Sequence, residues 1–429
     1  MSKLGICIIG SAGAVASTVV AGAYLMRNNL VPRRGMITEH SADHVKNVLP
    51  QLLQMAPLEE MVFGGWDMQE TNLYEASLAH NVVSKHLLDE VKTELEAIKP
   101  WPASVSDKYV VNLRGKNVVP AGSARDEVAT IERQIREFKE QTGAERVVVV
   151  NLASTERYPE MGECHLTPEA FEKGLDENDP RISPAMKYFY VCAKHGIPYC
   201  NFAPSVCAVP ALDSLAEQNG CPYSGMDGKT GQTLMKTTLA PMFRIRDLRV
   251  EGWYSANFLG NSDGLVLDDP GSNQTKVKSK ASVLDSIVGY PVENHQVHIH
   301  YYKPRGDAKE AWDNIDIEGF LGEMMQIKVN FLCKDSILAA PLVFDMVRLV
   351  DKAKEKGYAG IQRQLSLFFK SPYAKPGETP VHEVFEQEQL LVDWAKANAD
   401  TPLDASGNPT NGHAPATVTA AVNGVATTQ

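Results

Sequence analysis

The sequence predicts an α/β protein, in which a parallel sheet is covered by helices and an α+β segment is inserted late in the chain. Three observations carry this. Gly5 to Gly10 reads GICIIG, an apolar run that stops at glycine, and small residues mixed with Val19 and Val20 continue to Gly22. Helical stripes then alternate with short apolar runs, the pattern of a sheet buried on both faces. From about Arg244 the texture changes to period-2 alternation with little helical punctuation.

Each element can be justified in order. A signal peptide could be imitated by MSKL, but glycines at 5, 10 and 13 and arginines at 27, 33 and 34 fit a strand, a turn and a helix better. Val128, Ile131, Ile135 and Phe138 form one apolar stripe between a cap at Ser123 and a stop at Gly143. Val147 to Val150 is the strand that follows. Ser183-Pro184 opens a further helix in cap-then-proline order, Gly196 closes it, and Ile197 to Phe202 supplies the next apolar run. Leu248 to Leu259 and Gln296 to Tyr302 read as strands, and Asp335 to Lys356 returns to helix with Gly357 as its end. After Lys396 only Asp400 and Asp404 are charged and no aromatic residue occurs, so 397–429 is predicted to be a disordered tail. The expected limits are therefore 1–243 for the first part of the nucleotide domain, 244–323 for the inserted catalytic and oligomerisation domain, and 324–396 for the return.

Composition bounds the function. The 429 residues include 42 Lys plus Arg and 53 Asp plus Glu, a net charge of −11, which argues against nucleic acid or an anionic membrane as the main partner. No apolar run is long enough to predict a membrane span. The 7 cysteines, an odd number without a CxxC pair, suggest a reduced cytoplasmic protein without a structural zinc knot.

GSAGAVAST, from Gly10 to Thr18, sits where a dinucleotide turn should sit, after the first strand and at a helix N-terminus. The string is degenerate, because Ala12 and Val15 occupy the second and third glycine positions of GxGxxG. Taken alone it reads equally as a plain strand-to-helix turn. Four later stretches are rich in turn residues and lysine: DGKTGQT at 227–233, NFLGNSDG at 257–264, KVKSKASVLD at 276–285 and GDAK at 306–309. Each could cradle an anion, although any one of them alone reads more readily as a solvated loop. His298 and His300 share a strand face but have no third ligand at metal spacing nearby.

Together with FGGWD at 63–67, REFKEQTGAERVVVVNLASTERY at 136–158, CKDSILAAPL at 333–342 and FFKSP at 368–372, these stretches resemble the myo-inositol-phosphate synthase family. The resemblance runs from Gly5 to about Pro376. It implies a Rossmann-type NAD-binding domain and conversion of glucose 6-phosphate into inositol 3-phosphate, with NAD reduced and reoxidised in one cycle. It also implies a homotetramer associating through the inserted sheet; an activating monovalent or divalent cation is left open.

Position by position, the resemblance implies cofactor contacts at Gly10, Ser11, Ala12, Gly13, Ala14, Val15, Asp67, Arg114, Ala153, Ser154, Thr155, Asp227, Asn261, Ser262, Asp263, Gly306, Asp307 and Ser336. Thr230, Gly231, Gln232, Thr233 and Asn257 match the phosphate cradle. Lys276, Lys280, Lys309 and Lys370 match the active-site lysines, and Asp335 lies beside them. Ala14 and Val15 stand where the family has two asparagines, and Phe202 and Ala203 where it has Gly-Ser.

Lysines suit this reaction, because an ammonium stabilises an oxyanion and, when burial or neighbouring cations lower its pKa, also exchanges a proton. The expected division is Lys276 for proton transfer at the C5 hydroxyl, Lys280 and Lys309 on phosphate and developing oxyanions, and Lys370 at the C1 or C5 oxygen. Asp335 would orient a lysine or the cofactor amide, although a carboxylate there is equally a normal helix cap. The alternatives are an NAD-dependent dehydrogenase of another sugar phosphate, or a non-catalytic homologue that binds the same ligands.

Overall fold

The structure, a computed structural model, describes residues 2–39, 48–111, 113–120, 122–260, 283–404 and 409. Strands β1 (Leu4–Ile9), β2 (Met61–Asp67), β3 (Trp101–Pro102), β4 (Arg146–Asn151), β5 (Tyr199–Asn201) and β6 (Pro222–Gly225) lie in the first half of the chain. They are followed by β7 (Arg249–Leu259), β8 (Asn294–Tyr301), β9 (Ala308–Glu318), β10 (Met324–Lys334) and β11 (Gly360–Ile361). The longer helices among the described residues are α1 (Ala14–Arg27), α2 (Ala124–Thr142), α3 (Pro184–His195), α4 (Gln232–Ile245), α5 (Asp335–Glu355) and α6 (Val384–Ala397).

The first sheet has seven strands in the order β11-β6-β5-β4-β1-β2-β3, all parallel. The strand order reverses between β1 and β4, which opens a crevice at their C-terminal ends, as expected of a Rossmann-type sheet. Alternation along β1 feeds two cores: Leu4, Ile6 and Ile8 pack in one layer with α1 and α5, and Cys7 and Ile9 in the other with α2 and α3. The predicted caps are present. Ser123 and Asp126 form a reciprocal capping box on α2 and Gly143 ends it in the left-handed conformation; on α3 the Ser183 side chain accepts the Met186 amide and Gly196 is the left-handed stop.

The second sheet runs β10-β9-β7-β8, with β7 and β8 parallel and the other pairs antiparallel. Helix α4 covers its inner face, where Ala240 and Phe243 pack on Val250, Trp253, Ile315 and Ile317. Both expected limits of the insertion move as a result. Its covering helix starts at Gln232, not after 243, and Met324–Lys334 pairs along its whole length with β9, so the chain returns to the first sheet at Asp335 and not at 324.

The expected tail also begins too early. Asp400 accepts the Gln54 amide at 2.8 Å and pairs with Lys352 and Lys356, while Thr401 donates to the Gln51 carbonyl. A sequence poor in apolar residues is here held by charge, against lysines that its own composition does not reveal. Of the rest of the predicted tail, 405–408 and 410–429 lie outside the described residues. No described helix is long and apolar enough to cross a membrane.

Candidate active site

The crevice begins at Gly10. Its amide and that of Ser11 donate to the Trp66 carbonyl at 2.8 and 3.0 Å, tying the end of β1 to the end of β2. Gly10 adopts φ +79°, and a Cβ there would stand 2.8 Å from the Ala153 Cα at the end of β4. Only glycine lets the three strand ends converge. Helix α1 then starts with no side-chain cap and no acid in its first turn, so its free N–H groups and positive dipole end are left for an anion.

Asp67, at the end of β2, closes one side of the crevice. Its carboxylate accepts the Ala12 amide at 3.0 Å and the Gln69 amide at 2.9 Å, and burial pushes its pKa up against the pull of those N–H groups. Ala14, Val15, Ala153, Ser154, Phe202 and Ala203 line the same cavity. Val15 also packs on the core, so two positions that carry amides in the family are apolar wall here.

The far end of this cavity is ionic. Lys370 donates to Asp227 at 2.6 Å, with both side chains buried. Lys309, on β9, and Thr230 both donate to one oxygen of Asp335, at 3.4 and 3.0 Å. One cavity is thus lined by Gly10, Asp67, Ala153, Asp227, Thr230, Lys309, Asp335, Ser336 and Lys370, residues drawn from both sheets.

NAD fits these residues: the glycine turn admits close backbone approach and the α1 terminus is open, although Ser11, an expected contact, is buried outside the lining. The turn, Asp67 and the β4 end would hold it.

Not every expected residue lines the cavity. Arg114 is exposed and turned onto its own loop, donating to the carbonyls of Val110, Val111 and Leu113 and pairing with Asp107. Thr155 is buried outside the lining. Asp307 accepts the Ser336 amide and hydroxyl at 3.1 and 2.7 Å, so Asp307, not Asp335, caps α5, and Gly306 supplies the positive-φ turn before it. That leaves the Asp335 carboxylate to meet Lys309. Gly231, Gln232, Thr233 and Asn257 are buried where α4 meets β7. Asn261, Ser262, Asp263, Lys276 and Lys280 lie outside the described residues.

Sequence reasoning missed four buried ionisable groups. Lys229 donates to Gln387 and is brought down to about 7 by burial. Lys236 meets His295 at 2.7 Å and is brought down to about 8 by burial, which Asp313 partly opposes. Glu156, on the cavity wall, is pushed up to about 7 by burial. Asp313 holds three donors on the inner face of the second sheet. For Lys236 a signal existed: it shares a helical stripe with Gln232, Ala240 and Phe243, the buried side of α4. His298 and His300 stack on each other, and no group of three or more metal-ligating side chains occurs among the described residues.

The profile of the family described as myo-inositol-1-phosphate synthase matches residues 4–396. The chain belongs to this family. The inositol-3-phosphate synthase 1 of Bacteroides thetaiotaomicron is 42% identical over 402 residues, covering 91% of this chain and 94% of the relative. A probable inositol 3-phosphate synthase isozyme 3 of Arabidopsis thaliana is 30% identical over 92% of this chain and 85% of its own. The solved inositol-3-phosphate synthase of Caenorhabditis elegans superposes with a TM-score of 0.87 at 25% identity, covering 94% of this chain and 87% of that one. A myo-inositol-1-phosphate synthase-related protein from Thermotoga maritima, at 22% identity and TM-score 0.73, shares the fold. For a member of this NAD-binding family the crevice described above is the candidate cofactor site.

Proposed function

We propose that this protein is an isomerase that converts D-glucose 6-phosphate into 1D-myo-inositol 3-phosphate, with NAD as a bound cofactor and no net redox change. The observation that carries the reading is the joining of two chemistries in one cavity. The dinucleotide turn and Asp67 lie at one end, and two carboxylate-held lysines, Lys309 and Lys370, at the other.

When bound, NAD would supply the hydride acceptor for C5 of the open-chain sugar and the hydride donor after ring closure. The protein's own groups do the rest. Fixing a lysine against a carboxylate keeps its ammonium in place where oxygen becomes negative, first at C5 and then at C1 as the C6–C1 bond forms. Lys370 is held by Asp227 in the loop after β6 and Lys309 by Asp335 at the start of α5, so the two cations approach the substrate from different elements. Thr230, which lines the cavity just before the uncapped start of α4, suits the phosphate. Lys276 and Lys280 complete the set by family position, with Lys276 as the proton-transfer group.

Assembly as a homotetramer is part of the same proposal. The outer face of the second sheet exposes Tyr254, Trp312 and Leu332 at 46%, 48% and 58%, an apolar face that a second copy would cover. A cytoplasmic setting is supported by cysteines that are all free, six of them buried.

The test is incubation of purified protein with glucose 6-phosphate and catalytic NAD. Inositol phosphate without net NADH is expected. Stoichiometric NADH would instead mean a dehydrogenase, and ligand binding without turnover a non-catalytic homologue.

A further inference from the structure

The side chains of the dinucleotide turn do not fix its main chain. Gly10, Ala12, Gly13, Ala14 and Val15 carry no hydrogen-bonding side chain, and the Ser11 hydroxyl has no hydrogen-bond partner in the structure. Three amides are taken up by the end of β2: Gly10 and Ser11 donate to the Trp66 carbonyl, and Ala12 donates to the Asp67 carboxylate at 3.0 Å. The Gly13 amide turns back to the Gly10 carbonyl at 3.0 Å, and the Ser17 amide makes the first bond into α1, to the Gly13 carbonyl at 2.9 Å. The amides of Ala14, Val15 and Ala16 are then the ones that the helix start leaves for an anion.

One dipole beside these amides has the wrong sign. The Ala12 carbonyl lies just outside α1, so the helix does not use it, and a carbonyl oxygen swung toward the open amides would repel the pyrophosphate that they attract. Its partner comes from another element: His80 Nε2 stands 2.8 Å from the Ala12 oxygen. A carbonyl oxygen only accepts, so Nε2 carries a proton and donates it. His80 is the last residue of the short helix Leu73–His80 and lines the cavity. The chain just beyond it is fixed twice. Asn81, left-handed at φ +52°, donates its amide to the Ser77 carbonyl at 3.1 Å, and the Val82 carbonyl accepts the Lys334 ammonium at 2.6 Å from the end of β10.

Resting on the cofactor site described above, and not on the reaction proposed for it, we infer that His80 is a positioning residue for NAD. With Asp67 it grips Ala12 on both sides, at N–H and at C=O, and so holds the Ala12 carbonyl off the pyrophosphate. The sequence shows why such a grip is needed. Ala12 stands at the second glycine position of GxGxxG, where the backbone must approach the pyrophosphate closely, and Ala14 and Val15 offer no polar side chain to correct a misdirected peptide. A donor from outside the turn supplies the direction that the turn itself lacks. His80 acts through the Ala12 main chain, and its effect is confined to ligands that carry the pyrophosphate.

The experiment measures binding of NAD, ADP and adenosine to the full chain by calorimetry, with thermal unfolding as the folding control. His80→Leu removes the donor and should weaken NAD and ADP roughly tenfold, while adenosine, which lacks the pyrophosphate, stays within about twofold. His80→Phe keeps a ring without a donor, should behave as His80→Leu does, and serves if His80→Leu does not fold. His80→Gln places an amide Nε2 where the imidazole Nε2 stands and should bind NAD within about threefold of wild type. The role of His80 is overturned if His80→Gln is as damaging as His80→Leu, since the ring or its charge would then matter and not the bond to Ala12. It is equally overturned if adenosine weakens in step with ADP, which would mean a general loosening of the crevice, or if His80→Leu and His80→Phe leave NAD unchanged. Failure of the proposed reaction shows separately, as wild-type binding of NAD without conversion of glucose 6-phosphate.

Discussion

The Lys370 ammonium stands 2.6 Å from the Asp227 carboxylate, and both side chains are almost wholly buried. The contact is reinforced along the backbone, where the Lys370 amide donates to the Asp227 carbonyl at 2.7 Å. Removing one partner of such a pair strands the other charge away from water. Lys370→Ala should therefore cost about 3 to 5 kcal/mol of stability as well as abolish turnover. A melting temperature unchanged in Lys370→Ala would show that solvent reaches and screens the pair.

Lys309→Ala tests the second cation. Loss of a cation from a desolvated oxyanion or phosphate site should lower turnover by roughly 30- to 1000-fold and raise the sugar-phosphate requirement. NAD binding should stay near wild type, because the cofactor turn lies at the other end of the cavity. A variant within about threefold of wild type would mean that Lys309 serves only its bond to Asp335.

Gly10→Ala and Gly22→Ala should behave in opposite ways. At Gly10, φ is +79° and the new methyl would meet the Ala153 backbone, so NAD binding should weaken by at least about tenfold. At Gly22, inside α1, a Cβ meets nothing within 4 Å, and alanine should stabilise by roughly 0.5 to 1 kcal/mol. Fluorescence titration with NAD and thermal unfolding separate the two outcomes.

Glu156 predicts a pH dependence. Burial raises its carboxyl to about 7 in the folded protein, above its ordinary value of 4.5. Between those values the folded state holds a proton that the unfolded state has lost, so this contribution to stability falls as pH rises from 4.5 to 7. Glu156→Gln should flatten that part of the stability curve relative to wild type. Parallel curves for the two proteins, measured by denaturant unfolding across the same range, would refute the assignment.

Truncation after Asp404 should be silent, whereas truncation after Lys396 should lower the melting temperature by about 2 to 4 °C. The difference is Asp400, which holds Lys352, Lys356 and the Gln54 amide. Equal melting temperatures for the two truncations would show those contacts to be screened by solvent.

Much of the first sheet was legible because its signals are local. A cap at Ser123 or Ser183, a glycine at 143 or 196 and a stripe such as Val128, Ile131, Ile135 and Phe138 each act within a turn or two of chain, and the structure bears them out. The limits of the second sheet were not legible. Gln326 to Phe331 alternates polar and apolar residues, which marks a strand but not the sheet it joins, and the place of Met324–Lys334 is settled by eleven pairings with β9. Likewise nothing near Asp400 announces two lysines more than forty residues earlier.

The sequence by itself determined the family, the parallel sheet, the glycine turn and the identity of the lysines at 309 and 370, because motif order and short-range periodicity survive without coordinates. Only the tertiary structure decided how those groups are used. It gave the capping of α5 to Asp307 and so freed Asp335 for Lys309, turned Arg114 onto its own loop, and buried Lys229, Lys236, Glu156 and Asp313. The physical reason is range: capping and periodicity depend on neighbours in sequence, whereas burial and charge pairing depend on neighbours in space, brought together here by β9 against β7 and by α4 across both.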